Sequence, residues 1–70
     1  MEKLKINGVE KEFSAEQFPA TVAELLRQLN IEAATVVAEV DGKIVERGKF
    51  AETALQKGQA IELVRFVPGG

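Results

Sequence analysis

The sequence predicts a small α+β domain in which one helix packs across one face of a mixed β-sheet. Three observations predict it. Asn-Gly and Asp-Gly steps, each between alternating apolar runs, mark two β-hairpins, an amphipathic helical pattern lies between the hairpins, and a strongly β-prone run follows them. We expect a sheet of five strands, with four as the alternative, and one further short helical turn.

Composition restricts the classes of protein and site. The chain has 70 residues, 46% of them hydrophobic and 29% charged, as in one ordinary globular domain. It contains no cysteine and no histidine, which excludes disulfides and the usual zinc sites. A net charge of −2, with basic residues spread along the chain, argues against nucleic acid as a partner. The sequence shows neither the apolar stretch of a signal peptide nor an apolar stretch long enough to span a membrane. We therefore expect a cytoplasmic location and no membrane partner.

The first hairpin is indicated by alternation around an Asn-Gly step. Leu4 and Ile6 alternate with lysines, and Asn7-Gly8 is followed by a second alternating run that ends at Phe13. Asn and Gly both accept the positive φ that a type I′ turn requires. We therefore expect a tight two-residue hairpin here.

The helix is indicated by a start signal and an apolar stripe. Thr21 and Glu24 have the spacing of a capping box, in which each side chain accepts a hydrogen bond from the other residue's backbone N–H. The apolar residues that follow recur at i, i+3, i+4 and i+7, which places them on one helical face. These residues are Val22, Leu25, Leu26 and Leu29.

The second half of the chain predicts another hairpin and a final strand. Val36, Ala38 and Val40 alternate before Asp41-Gly42, a second type I′ signal. A short helical turn is expected over residues 50–55, and the final strand over residues 60–67.

The final strand predicts one buried and one exposed face. Ile61 and Leu63 share one face and are expected to point at the helix, whereas Glu62, Val64 and Phe66 share the other face. We therefore expect Val64 and Phe66 to be exposed.

An internal catalytic site is not favoured. Without cysteine or histidine, only pairs of carboxylates such as Glu10 with Glu12, or Glu46 with Glu52, remain as acid–base candidates. Scattered glutamates on a small domain are usually solvated surface. No metal site and no glycine-rich phosphate loop is indicated.

The last four residues predict a carrier tail instead. We expect residues 1–66 to form the folded domain and residues 67–70, Val67, Pro68, Gly69 and Gly70, to form a flexible tail. Four extended residues span at most about 14 Å, enough to carry a terminal carboxylate into a partner's active site. Glycine permits close backbone approach in a narrow channel. A frayed terminus is the alternative interpretation.

The chain resembles the ThiS family of sulfur carriers, which have a ubiquitin-like β-grasp fold. The resemblance covers essentially the whole chain. It rests on the order and spacing of residues 21–26, residues 40–45 and residues 61–67, which lead into Gly69-Gly70. It implies a sheet with the first and last strands parallel at its centre and the two hairpins outside.

The resemblance also implies a function in thiamin biosynthesis. The carboxylate of Gly70 would be adenylated by an E1-like adenylyltransferase of the ThiF type, which uses ATP, and then converted to a thiocarboxylate. The sulfur would come from a donor such as a cysteine desulfurase and pass to a thiazole synthase of the ThiG type. The chain would then be a carrier rather than an enzyme, with no bound cofactor. Glu62, Val64 and Phe66 would form part of the surface that docks a partner, since two apolar side chains beside the tail exceed a scatter of surface hydrophobic residues; incidental exposure is the alternative.

Three departures from the family pattern keep alternatives open. Pro68 stands where glycine is common, Glu46 where proline is common, and Gln59 where aspartate is usual. Pro68 leaves open a carrier like the small subunit of molybdopterin synthase. A ubiquitin-like modifier and a non-reactive β-grasp interaction module are further alternatives, and a small hydrolase is the weakest.

Overall fold

A computed structural model describes residues 1–66 of the chain. Its strands are β1 (Glu2–Ile6), β2 (Val9–Phe13), β3 (Val36–Val40), β4 (Lys43–Val45) and β5 (Ala60–Arg65). One helix, α1 (Val22–Gln28), and 3₁₀ turns at Ala33–Thr35 and Arg47–Lys49 complete the fold.

The strands form one mixed sheet. All five strands belong to it, in the order β2-β1-β5-β3-β4, with β1 and β5 parallel and the other neighbours antiparallel. The expected α+β class is confirmed, with five strands rather than four. The parallel central pair with a hairpin on each side is the β-grasp arrangement that the resemblance implied.

Both hairpin turns have the expected backbone. Asn7 and Gly8 have φ of 51° and 82°, and Asp41 and Gly42 have φ of 51° and 83°. Two successive positive φ values define the type I′ turn, whose twist matches that of the flanking strands. The two turn predictions are confirmed.

Helix α1 begins as expected, but only half of the capping box forms. The Thr21 hydroxyl accepts a hydrogen bond from the backbone N–H of Glu24 at 3.2 Å. The Glu24 carboxylate accepts from Arg27 Nη1 at 2.9 Å. A return bond from the Thr21 N–H is not among the hydrogen bonds of residues 1–66, since Arg27 one turn later offers a charged donor.

The end of α1 was not predicted in detail. Asn30 has φ of 60°, its N–H donates to the Arg27 carbonyl, and the N–H of Ile31 donates to the Leu26 carbonyl. This is a Schellman motif, in which a left-handed residue ends the helix and satisfies its last carbonyls. Asparagine takes this conformation with little strain, because its short side chain tolerates positive φ.

The core lies between the sheet and α1. The stripe residues Val22, Leu25 and Leu26 are buried, while Leu29, which follows the last helical residue, is half-buried. The other buried hydrophobic residues come from all strands except β4 and from the segment between β4 and β5. They are Leu4, Phe13, Val36, Ala38, Phe50, Leu55, Ile61 and Leu63.

The predicted position of the short helical turn was wrong. It was expected over residues 50–55, but the structure has a 3₁₀ turn at Arg47–Lys49. The backbone of the predicted segment is engaged elsewhere: the Val22 N–H donates to the Thr53 carbonyl and the Ala23 N–H to the Phe50 carbonyl, each at 3.0 Å. The segment thereby satisfies N–H groups in the first turn of α1 that have no partner within the helix.

Candidate docking face and carrier tail

Strand β5 separates the core from an exposed sheet face. Ile61 and Leu63 are 1% and 7% exposed and point toward α1. Val64 and Phe66 are 60% and 45% exposed on the opposite side, where Glu62 is exposed too. The predicted alternation of the two faces is therefore confirmed. We call the sheet face opposite α1 the outer face.

Neighbouring strands add residues that sequence reasoning missed. Val37 on β3 lies opposite Val64, and Glu39 lies opposite Glu62. Ile44 on β4 lies opposite Glu39 and is 69% exposed. The alternation of β3 was visible in the sequence, but it did not show which strand pairs with which, or in what register.

These residues form two adjacent rows across the outer face. The first row is apolar and joins Val37 to Val64, with Phe66 next along β5. The second row is the carboxylate pair of Glu39 and Glu62. On β5, Glu62 lies two residues before Val64. We call Val37, Ile44, Val64 and Phe66 the outer patch.

One cation on a neighbouring strand, Lys5 of β1, shares the outer face with the carboxylate pair and lies opposite Ala60 of β5. The ion pairs of residues 1–66 involve neither carboxylate of the pair. Directly opposed residues on antiparallel strands have Cβ atoms about 4.5–5.5 Å apart, where like charges are destabilising. The outer face thus combines an apolar row with a carboxylate pair that takes part in no ion pair of residues 1–66.

Both hairpin turns hold β5 in place. Asn7 Nδ2 donates to the Leu63 carbonyl at 3.2 Å, and the Leu63 N–H donates to Asn7 Oδ1 at 2.7 Å. At the start of the strand, the Ala60 N–H donates to Asp41 Oδ1 at 2.9 Å. The sequence assigned these two side chains only to turn formation. Their second role links the hairpins to the strand that displays the outer patch.

This arrangement predicts unequal effects for two matched substitutions. Asn7→Asp keeps the turn and the acceptor but removes the donor to the Leu63 carbonyl, and we expect the free energy of unfolding to fall by about 1–2 kcal/mol. Asp41→Asn keeps the required acceptor, so a change below about 0.5 kcal/mol is expected. Urea unfolding of both variants measures the difference. Equal losses would contradict the proposed donor role of Asn7.

The last described residue, Phe66 of the outer patch, is anchored to the segment that precedes β3. The Phe66 N–H donates to the Thr35 carbonyl at 2.8 Å, which continues the β3–β5 pairing past the end of the strand. The predicted tail residues lie outside the described residues. They are Val67, Pro68, Gly69 and Gly70.

The alternative catalytic residues are not assembled into a site. Glu10, Glu12, Glu46 and Glu52 are all exposed, and Glu10 and Glu52 lie 3.8 Å and 3.9 Å from lysine Nζ atoms. None of the four lines the groove of about 320 Å³ beside the end of α1. Within residues 1–66, no group of His, Cys, Asp and Glu side chains could hold a metal ion.

None of the helices in the described part of the chain combines the length and apolar character needed to cross a membrane.

Comparison with known proteins gives the family. The model of the ThiS family matches residues 4–70. The chain belongs to the ThiS family. Among solved structures, a thiamine biosynthesis protein (ThiS) of Geobacter metallireducens is 32% identical in its crystal structure, with a TM-score of 0.80 over 97% of this chain and 99% of that one. The NMR structure of a thiamine biosynthesis protein from the same organism gives 34% identity and a TM-score of 0.75, over 97% of this chain and 87% of that one.

A curated relative of this ThiS family member is much longer. A protein named thiazole synthase from Paramagnetospirillum magneticum is 38% identical over 68 residues, which are 97% of this chain. The match spans only 20% of that protein, or about one fifth of its length.

Proposed function

We propose that this chain is a sulfur carrier for thiamin biosynthesis and that the carboxylate of Gly70 bears the sulfur. The observation that carries the proposal is the ThiS family match over residues 4–70. The exposed outer patch, which includes the last described residue Phe66, supports it, because a carrier must present both a docking surface and a reactive end to its partners.

The tail supplies one reacting group and the partner supplies the rest. An ionised carboxylate is a poor electrophile, so one of its oxygens attacks the α-phosphorus of ATP and pyrophosphate leaves. Sulfur at the oxidation level of sulfide, HS⁻, then attacks the acyl carbon, AMP departs with that carboxylate oxygen, and the proton is lost to solvent. If the sulfur arrives as the persulfide of a cysteine desulfurase, the first product is an acyl disulfide, and a thiol reductant must cleave its S–S bond. The result is a thiocarboxylate on Gly70. ATP is consumed by the activating enzyme and is not a resident cofactor of this chain.

Residues 1–66 and residues 67–70 have separate tasks in this proposal. The folded domain provides recognition through Glu62, Val64 and Phe66, and Val67, Pro68 and Gly69 connect it to the reacting carboxylate. Four residues reach at most about 14 Å, so a partner's reaction centre must lie within that distance of its contact with the domain.

Three partners follow from this chemistry. A ThiF-type adenylyltransferase activates the carboxylate, a donor such as a cysteine desulfurase provides sulfur, and a ThiG-type thiazole synthase receives it. The thiazole synthase that contains a segment similar to this chain supports the third partner, since segments joined in one polypeptide commonly act on each other. The carrier itself is a co-substrate and not a catalyst, and its proposed location is the cytoplasm.

One residue favours a second candidate function. Pro68 precedes the final glycines, and proline fixes φ and stiffens the connection to the domain. This tail suits a carrier like the small subunit of molybdopterin synthase, which would use the same activation chemistry but deliver sulfur elsewhere.

Intact-mass analysis tests the proposal. The purified chain is incubated with ATP, a sulfur donor and either a ThiF-type or a molybdopterin-type adenylyltransferase. We expect oxygen to be replaced by sulfur with the ThiF-type enzyme, and the same product with only the other enzyme would favour the second candidate. If the chain forms isopeptide conjugates with lysine and never the thiocarboxylate, it is a modifier and the proposal is wrong.

A further inference from the structure

The carboxylate pair of Glu39 and Glu62 has no evident structural purpose. The two residues face each other across β3 and β5 on the outer face, and the described ion pairs do not include them. Like charges in this position destabilise the folded sheet. A replacement that removes one of the two charges should therefore raise the free energy of unfolding of the domain.

Docking of a partner on the apolar residues would increase the unfavourable free energy of the two like charges. The pair lies next to Val37 and Val64, and Ile44 flanks Glu39 on the other side. A partner that covers these apolar residues also removes water from the carboxylates. A buried charge without a partner is strongly unfavourable. Since Lys5 offers one cation beside two carboxylates, a covering surface that brings a positive charge of its own is favoured.

We propose that the outer patch docks against a thiazole synthase and that a cationic side chain of that enzyme inserts between Glu39 and Glu62. An arginine fits best, because its planar guanidinium offers five donors and can bond both carboxylates at once. This inference rests on the proposed function and adds the chemistry of the partner surface.

The position of the pair sets the geometry of that surface. Glu62 precedes Val64 by two residues on β5, about 7 Å at the rise of a strand. Phe66, the last described residue, lies on the opposite side of Val64 from Glu62. The enzyme surface should thus carry, in order, its cation, an apolar contact and the entrance that receives the tail.

Thiazole synthase is the occupant that the comparisons support. The curated relative joins a segment similar to this chain to the remaining four fifths of a protein of that name. Charge complementarity with one of its partners gives a carrier specificity and a faster encounter, because surfaces without the matching cation bind it less well.

Calorimetric titration with a purified ThiG-type thiazole synthase tests the inference. The chain is compared with Glu39→Gln, Glu62→Gln and the double variant, which keep side-chain size and remove charge. Glu12→Gln is the matched control, because Glu12 also projects from the outer face but lies on β2, away from the patch. Melting temperatures and intact-mass sulfur loading are measured on every variant.

Opposite changes in affinity and stability are expected. Each single substitution should weaken binding by at least about tenfold, as truncation of a buried charge pair does. Each should also raise Tm by about 1–5 °C, since it removes a repulsion between opposed strands. The control should change affinity by less than about threefold. Residues retained for stability would show the reverse change in Tm.

Several outcomes would overturn the inference. Unchanged affinity in the variants, or no binding by the original chain, would do so. So would an effect confined to the adenylyltransferase, or self-association of the chain through this face. Sulfur loading separates the two proposals. If the variants load sulfur normally and bind thiazole synthase as tightly as the original chain does, only the docking inference is rejected. If the original chain fails to load sulfur, the proposed function is rejected.

Discussion

Deletion of Gly70 is expected to lower the rate of thiocarboxylate formation by at least about 100-fold without unfolding the domain. The deletion moves the terminal carboxylate back by one residue, about 3.3–3.6 Å in an extended chain. Displacements of about 1 Å from a productive geometry can already cost about 100-fold in rate. The core of residues 1–66 is formed by side chains between Leu4 and Leu63, so we expect the deletion to leave it intact. Intact-mass time courses with the activating enzyme measure the rate.

Pro68→Gly is the matched control for this deletion. It alters the same tail but preserves its length and its final glycines, so only the added conformational freedom should matter. Substitutions between proline or other residues and glycine change free energies by about 0.4–1 kcal/mol through chain entropy, and we expect a rate within about fivefold of the original. If the deletion variant loaded sulfur normally, Gly70 would not be the carrier residue.

Ile61→Ala is expected to produce the largest loss of stability. Ile61 is 1% exposed at the centre of the sheet, and truncation of such a side chain costs about 2–5 kcal/mol. Domains have about 0.05–0.15 kcal/mol of stability per residue, so the loss is a large part of the total. Thermal unfolding should show a decrease in Tm of at least about 8 °C.

Val64→Ala distinguishes core packing from a general effect on the strand. Val64 lies on the same strand but is 60% exposed on the outer face. Its truncation should change the free energy of unfolding by less than about 0.5 kcal/mol while weakening partner binding. Similar losses of stability in the two variants would show that β5 is held by something other than the packing of its buried face.

Local patterns predicted the elements well because each carries its own physical signal. The Asn7-Gly8 and Asp41-Gly42 steps permit two successive positive φ values. Thr21 offers an acceptor to an N–H that lacks a partner within the helix. The short helical turn was misplaced because the backbone of residues 50–55 bonds to the first turn of α1, a contact between segments distant in sequence.

The sequence by itself determined the two hairpins, the helix, the alternation of β5 and the family resemblance that points to Gly70. Tertiary structure alone decided which residues of the neighbouring strands lie beside those of β5 on the outer face. Register brings Val37 opposite Val64 and Glu39 opposite Glu62, and it ties Asn7 to Leu63 across the sheet. These pairings could not be read from the chain, because periodicity assigns a side chain to one face of its own strand but carries no information about the neighbouring strand.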